Sequence, residues 1–136
     1  MIVLDTHIWI WLVNGNFDRF PVSWLPQIVE SDRLGVSPLS CYEIALAQQR
    51  GRLELDCSVE KWIEQALSLG KIDLLPVTDN IAIQAVRLSP IHKDPFDRLI
   101  IATALAYNAQ LASVDRCFRE YPELINHLMR NGGGDR

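Results

Sequence analysis

Met1-Ile2-Val3-Leu4-Asp5-Thr6-His7-Ile8-Trp9-Ile10-Trp11-Leu12-Val13 opens the chain, and a single acid divides it. Ile2–Leu4 is an apolar, β-branched run of the kind that forms a short buried strand. Asp5 ends it. Thr6–Val13 is apolar nearly all round and stops at Asn14-Gly15, which predicts a segment buried on more than one side. Near the other end the pattern returns: Leu111-Ala112-Ser113-Val114 runs into Asp115. Two more acids, Glu43 and Asp97, sit near the starts of the helical stretches Pro38–Arg50 and Pro95–Asn108. Carboxylates are rarely buried alone, because desolvating the charge costs several kcal/mol or more. If the two apolar runs are parallel strands, Asp5 and Asp115 emerge at their carboxyl ends. The helix starts lie on that same edge, where open α/β sheets place their sites. Four converging carboxylates repel unless a cation lies between them, so the pattern points to an oxygen-ligand site for Mg²⁺ or Mn²⁺.

The segments between these acids alternate in type. Pro21–Leu34 is helical in period, with Val22, Leu25, Ile28 and Val29 spaced to face a core. Gly35-Val36-Ser37 predicts a short strand, and Ser37-Pro38 gives a cap followed by proline at the first helical position. Gly51 closes that helix. Ser58–Leu69 predicts another helix, Lys71–Val77 a strand with Pro76 near its end, and Asn80–Leu88 a helix capped by Thr78 or Asp79. Pro90–Lys93 reads as a loop. Asp94 caps Pro95–Asn108, Gln110–Val114 is the last strand, and Asp115–Tyr121 is a turn or short helix. Strands alternating with helices imply an α/β fold, a mostly parallel sheet flanked by helices. Residues 1–125 form one domain in this reading. Residues 126–136, ending in Gly132-Gly133-Gly134, form a flexible tail.

At 136 residues the chain suits one domain with its own core. Hydrophobic residues make up 49% and charged residues 22%, ordinary for a soluble globular protein. No apolar run reaches the roughly 18–20 residues that span a membrane, and no basic stretch precedes the first one. A cytoplasmic protein is the expectation. Cys41, Cys57 and Cys117 are too few and too scattered for a disulfide framework or a CxxC zinc site. The net charge of −4 weakens nucleic-acid binding without excluding it, since metal would neutralise several acids. Lys93, Arg98, Arg116 and Arg119 cluster near the candidate site.

Each acid has a bland reading beside the functional one. Asp94 is well explained as a cap, and Asp97 less so, because it shares a helix face with Ile101 and Ala104. Ser40-x-x-Glu43 matches a capping box, but Ser37-Pro38 is the better helix start, which leaves Glu43 in the second turn with nothing to cap. Asp5 and Asp115 could each cap the segment that comes next. Thr78-Asp79 opens straight into a helix and needs no site. His7 and His92 read as surface or supporting residues. Trp9 and Trp11 read as packing before base stacking. No phosphate-binding glycine loop and no GxSxG elbow is present.

In their order and spacing these motifs resemble the PIN-domain ribonucleases, and within them the VapC-type toxins of bacterial toxin–antitoxin systems. The resemblance runs from Met1 to about Tyr121. It rests on Leu4-Asp5-Thr6-His7, on Ser37-Pro38-Leu39-Ser40 leading to Glu43-Ile44, on Asp94-Pro95-Phe96-Asp97-Arg98-Leu99-Ile100-Ile101-Ala102, and on Ser113-Val114-Asp115 followed by Phe118. It implies a three-layer PIN-like fold. It places the family's acidic quartet on Asp5, Glu43, Asp97 and Asp115, supported by the hydroxyls of Thr6 and Ser113. Ser113 stands where the family often has threonine. The implied activity is endoribonuclease cleavage of RNA phosphodiesters by water activated on one or two Mg²⁺ or Mn²⁺ ions, leaving 5′-phosphate and 3′-hydroxyl ends. Asp5 and Asp97 are the strongest candidates for direct ligands. Lys93, Arg98 and Arg116 are candidate phosphate contacts by sequence proximity. A homodimer and a cognate antitoxin are the implied partners, and the apolar Thr6–Val13 and Ser58–Leu69 offer surface for them. The competing readings are a non-toxin PIN nuclease in RNA processing, a non-catalytic PIN-fold module binding RNA or protein, and, more remotely, a haloacid-dehalogenase-like phosphatase. That last chemistry needs an aspartate where His7 stands.

Overall fold

Ile2–Leu4 forms the first strand, β1, and every other strand aligns parallel to it. The computed structural model describes residues 1–130. After β1 come α1 (Thr6–Asn14), a 3₁₀ turn (Phe17–Arg19), α2 (Trp24–Glu30), β2 (Leu34–Val36), α3 (Pro38–Gln49) and α4 (Val59–Gly70). The chain continues with β3 (Ile72–Leu74), α5 (Asp79–Arg87), α6 (Pro95–Ala106), β4 (Gln110–Ala112) and two 3₁₀ turns, Arg116–Glu120 and Pro122–Leu124. The sheet order is β3-β2-β1-β4. Ile2 pairs with Leu34 on one side and Gln110 on the other, so the first strand lies inside the sheet. Such a strand is covered on both faces, which is why Ile2, Val3 and Leu4 are all buried.

The period of two along the strands divides the core. Ile2, Leu4 and Ala112 point to a layer with Ile8, Trp9, Trp24, Ile44 and Trp62. Val3 and Leu111 point to the opposite layer with Ile100, Ile101, Ala104, Phe118 and Tyr121. The result is the three-layer α/β arrangement expected from the sequence. Helix starts obey the local signals. Asp5 accepts from the Thr6 amide at α1, Ser37 from the Leu39 amide at α3, and Asp94 from the Phe96 amide at α6. Thr78, rather than Asp79, caps α5 by accepting from the Ile81 amide.

Three differences from the sequence expectation matter most. The helix predicted over Pro21–Leu34 is only Trp24–Glu30, because Arg33 and Leu34 are taken by the sheet: the Ile2 amide donates to the Arg33 carbonyl at 3.0 Å. Its buried face is Phe20, Trp24 and Ile28, while Val22 and Val29 are 88% and 72% exposed. The strand predicted over Lys71–Val77 shrinks to Ile72–Leu74, although the Leu75 amide still reaches the Val36 carbonyl at 2.8 Å. The domain also runs past 125. The Leu111 amide donates to the His127 carbonyl at 2.7 Å, the Met129 amide to the Leu111 carbonyl at 2.9 Å, and Met129 is buried. Of the tail expected over 126–136, residues 127–129 are thus packed against β4, and residues 131–136 lie outside the described residues. Cys41, Cys57 and Cys117 are free thiols. No helix among the described residues is long and apolar enough to cross a membrane.

Candidate active site

The parallel register of β1 and β4 sets Leu4 beside Ala112, so the residues leaving these strands share one edge. Asp5 leaves β1 there, and Asp115 lies just past the end of β4. On α3, Glu43 occupies the second turn. On α6, Asp97 occupies the first. Tyr42 and Phe96 meet edge to face, centroids 5.1 Å apart, and pin these two helix starts together. Asp5, Glu43, Asp97 and Asp115 consequently line one pocket with Asp94, Thr6, His7 and Trp11. Among the described residues no lysine or arginine lines it.

Two hydroxyls organise the acids. The Ser113 hydroxyl donates to Asp5 Oδ2 at 2.7 Å and accepts from the Asp115 amide at 3.1 Å. One serine thereby links the acids of both strands. Thr6 Oγ1 lies 2.5 Å from Glu43 Oε1 and 2.8 Å from Ser40 Oγ. A threonine hydroxyl has one proton, and the carboxylate can only accept, so Thr6 donates to Glu43 and Ser40 donates to Thr6. Asp5 and Asp115 do cap the segments after them, as the bland reading holds, but a cap uses one oxygen of each. Asp115 Oδ1 takes the Cys117 amide.

Burial raises the pKa of Asp5 first of all. The nearby charge of Asp115 adds to this, while the Ser113 and Thr6 hydrogen bonds oppose it. Glu43 is raised for the same leading reason, with Asp5 and Asp94 adding to it. Asp97 is raised to about 7, through burial and then the charges of Asp94, Asp5, Asp115 and Glu43. Among the described residues no hydroxyl or amide donor offsets them, and the nearest basic nitrogen is His92 Nε2 at 3.7 Å. Among the described residues no three acidic, imidazole or thiol groups are drawn together tightly enough to enclose an ion. The carboxylates face one pocket without closing on a common point. Their donor set is hard oxygen throughout, which suits Mg²⁺ or Mn²⁺ rather than a soft metal.

The basic residues singled out in the sequence fare differently. Arg98 is turned away from the pocket. Its guanidinium donates to the carbonyls of Ala85, Val86, Leu88, Ser89 and His92 at 2.8–3.2 Å and to the Tyr121 hydroxyl at 3.4 Å. It fastens the end of α5 and the loop after it onto α6, so it is not a free phosphate contact. Lys93 is exposed and lines a neighbouring apolar hollow along α5 and α6. Arg116 is exposed beside the pocket, in a hollow shared with Arg19 and Arg119. Sequence reasoning undervalued His92, which stands between Asp97 and Tyr121, with Nδ1 3.3 Å from the tyrosine hydroxyl. It also read Asp94 as a cap only. Both residues flank Asp97 closely in the chain, a signal that could have drawn attention to them.

Residues 2–124 match the PIN-domain family. Ribonuclease VapC22 of Mycobacterium tuberculosis is 30% identical over 121 residues, spanning 88% of this chain and 91% of that protein. Among solved structures, a chain of a toxin–antitoxin complex from Klebsiella pneumoniae superposes with a TM-score of 0.68 at 19% identity, covering 96% of this chain and 98% of that one. VapBC2 from Rickettsia felis, bound to a DNA fragment of its promoter, gives 0.68 at 18% identity, covering 95% and 98%. FitAcB from Neisseria gonorrhoeae gives 0.57 at 19% identity, covering 96% and 98%. At such identities the structural likeness speaks to the fold.

Proposed function

Because this chain belongs to the PIN-domain family, we propose that it is a metal-dependent endoribonuclease, acting in the cytoplasm as the toxin of a type II toxin–antitoxin pair. One observation carries the reading: four carboxylates from four separate segments line a single pocket with no lysine or arginine in it among the described residues. Asp5 and Asp97 would bind a divalent cation directly, with Glu43 and Asp115 completing its surroundings or orienting water. When bound, Mg²⁺ or Mn²⁺ would lower the pKa of a water molecule and neutralise charge building on the phosphate.

The chain's own residues prepare that chemistry. Ser113 fixes the Asp5 carboxylate, and the Ser40–Thr6 pair fixes Glu43, so neither acid has to be ordered as the reaction proceeds. Asp97 exchanges its proton near neutral pH, which a cation entering the pocket would displace. The antitoxin partner is supported by the relatives, which come from toxin–antitoxin complexes. A homodimer is supported by apolar surface, though not on α1, whose Ile8, Trp9 and Ile10 are buried. Candidate surface lies on α5 and the loop after it, where Val86 is 80% and Ile83 49% exposed.

The test is cleavage of a labelled structured-RNA pool with Mg²⁺ or Mn²⁺, beside EDTA and Asp97→Asn controls. Both controls are expected to abolish cleavage. Cleavage surviving Asp97→Asn would overturn the assignment. Growth arrest on expression, dependent on Asp97, would separate a toxin from an RNA-processing nuclease.

A further inference from the structure

The loop between α5 and α6 folds back onto the helix that follows it, and its polar contacts hold it there. Arg98 donates to the carbonyls of Ser89 and His92 at 2.9 and 3.2 Å, and the Glu123 carboxylate accepts from the Ser89 amide at 2.8 Å. The His92 ring is thereby set beside Asp97, the residue before that arginine. It packs against Phe118 and Tyr121, ring centroids 6.3 and 5.4 Å away. One edge of the ring carries Nδ1, 3.3 Å from the Tyr121 hydroxyl. The other carries Nε2, which is closed off from solvent, has no hydrogen-bond partner among the described residues, and lies 3.7 Å from Asp97 Oδ2. A buried polar nitrogen without a partner is uncommon and costly, and calls for an explanation.

The hydrogen bonds around Tyr121 decide which nitrogen of His92 carries the proton. Arginine only donates, so the Tyr121 oxygen accepts from Arg98 Nη1 at 3.4 Å. The hydroxyl has one proton to give, and His92 Nδ1 is the acceptor it meets among the described residues. Nδ1 is then the bare nitrogen, and Nε2 bears the hydrogen. The reverse tautomer would leave the tyrosine proton without an acceptor and aim an Nε2 lone pair at a carboxylate oxygen. We propose that His92 is a positioning residue for Asp97, its Nε2–H engaging Oδ2 and leaving Oδ1 for the divalent cation. The proposal rests on the metal-dependent reading and deepens it by naming the group that orients one ligand. Ser113 does this for Asp5 and Thr6 for Glu43, whereas Asp97 has no hydroxyl or amide donor among the described residues. Carboxylates that bind metal are themselves held by hydrogen bonds. At 3.7 Å the contact is longer than a hydrogen bond, and bonds of this kind commonly tighten as an active site fills.

The test is Mn²⁺ binding to the metal-free protein, followed by the electron paramagnetic resonance of free Mn²⁺, with thermal unfolding of each variant measured in EDTA. His92→Phe keeps a ring against Phe118 and Tyr121 and removes the donor. It should weaken Mn²⁺ binding about 10- to 100-fold, the usual cost of losing a group that orients a ligand, while melting like the wild type. His92→Gln returns an N–H as many bonds from the backbone as Nε2 and should recover most of the affinity. Tyr121→Phe, which releases the tautomer, should lose part of it. Long-range ¹H–¹⁵N correlation spectra at alkaline pH should show His92 with Nδ1 bare and Nε2 protonated in the wild type, and both tautomers in Tyr121→Phe. Wild-type Mn²⁺ affinity in His92→Phe, a His92→Gln no better than His92→Phe, or a proton on Nδ1 would each overturn the proposal. If His92→Phe does not fold, unchanged affinity in Tyr121→Phe or a proton on Nδ1 still overturns it. Mn²⁺ binding that depends on Asp97 but not on His92 would strike the positioning role alone and leave the proposed function standing. A wild type that binds no Mn²⁺ would overturn the metal-dependent reading and the proposal with it.

Discussion

Replacing Asp97 by asparagine should stabilise the metal-free protein, and do so only where Asp97 is ionised. Its carboxyl rises from an ordinary 3.8 to about 7, chiefly through burial and then the charges of Asp94, Asp5, Asp115 and Glu43. Because the folded carboxyl holds its proton more tightly than the unfolded one, the stability attached to that proton is fully present below about pH 4. It is lost as pH rises through 7. At about 1.36 kcal/mol per pKa unit, ionising Asp97 in the folded chain costs up to about 4 kcal/mol. Solvent reaches the 19%-exposed side chain, and screening trims this to about 2 kcal/mol. Asparagine keeps the shape and removes the charge. Thermal unfolding in EDTA should then show Asp97→Asn melting about 6 °C above wild type at pH 8, at about 3 °C per kcal/mol, with little difference at pH 4.5. Adding Mn²⁺ should reverse the order, because binding to the folded state stabilises whichever protein binds the ion better. An asparagine variant no more stable than wild type at pH 8 in EDTA, or a gap independent of pH, would refute the electrostatic account.

Two further outcomes rest on particular hydrogen bonds. Ser113→Ala removes the donor to Asp5 Oδ2, so Asp5 should ionise at higher pH and the acid limb of the cleavage profile should move upward, at a stability cost of about 1–2 kcal/mol; Ser113→Thr should restore both. An unmoved acid limb would show that Asp5 does not govern it. Arg98→Lys leaves one ammonium to serve five carbonyls, and urea unfolding should show a loss of about 2–3 kcal/mol, against less than about 0.5 kcal/mol if those contacts were incidental.

The features legible in the sequence were local, or repeated by a local rule. An apolar run broken by an acid, twice, gives two strand ends, and parallel pairing puts them side by side whatever intervenes. Ser37-Pro38 and Asp94-Pro95 announce helix starts, and so fix where Glu43 and Asp97 lie on their helices. The features that escaped the sequence depend on contacts across it. Periodicity in Pro21–Leu34 marks a helix and half of its buried face: Ile28 and Leu25 pack inward as expected, but Phe20 and Trp24 win over Val22 and Val29 because aromatic rings remove more surface from water. Arg98 looked free for phosphate because its five carbonyl acceptors belong to residues 85–92, which only the fold brings around α6.

The formal charge of −4 argued against a polyanion partner when treated as a single number. Its distribution reverses the argument. Asp5, Glu43, Asp94, Asp97 and Asp115 concentrate negative charge in one pocket, while Arg19, Arg50, Arg52, Arg116 and Arg119 stand around its borders with no carboxylate partner among the described residues. Two divalent ions would bring four positive charges to the pocket and the formal total from −4 to zero. Charges within a Debye length of about 8 Å feel one another, so a phosphate at the mouth of the pocket would sense whether its acids are neutralised. Acids that would hold a cation and the arginines around them would therefore be coupled through a phosphate between them. Under the proposed function, ion binding would convert a pocket that repels phosphate into one that attracts it, and RNA affinity should climb with metal loading, whereas net charge alone would suggest neither.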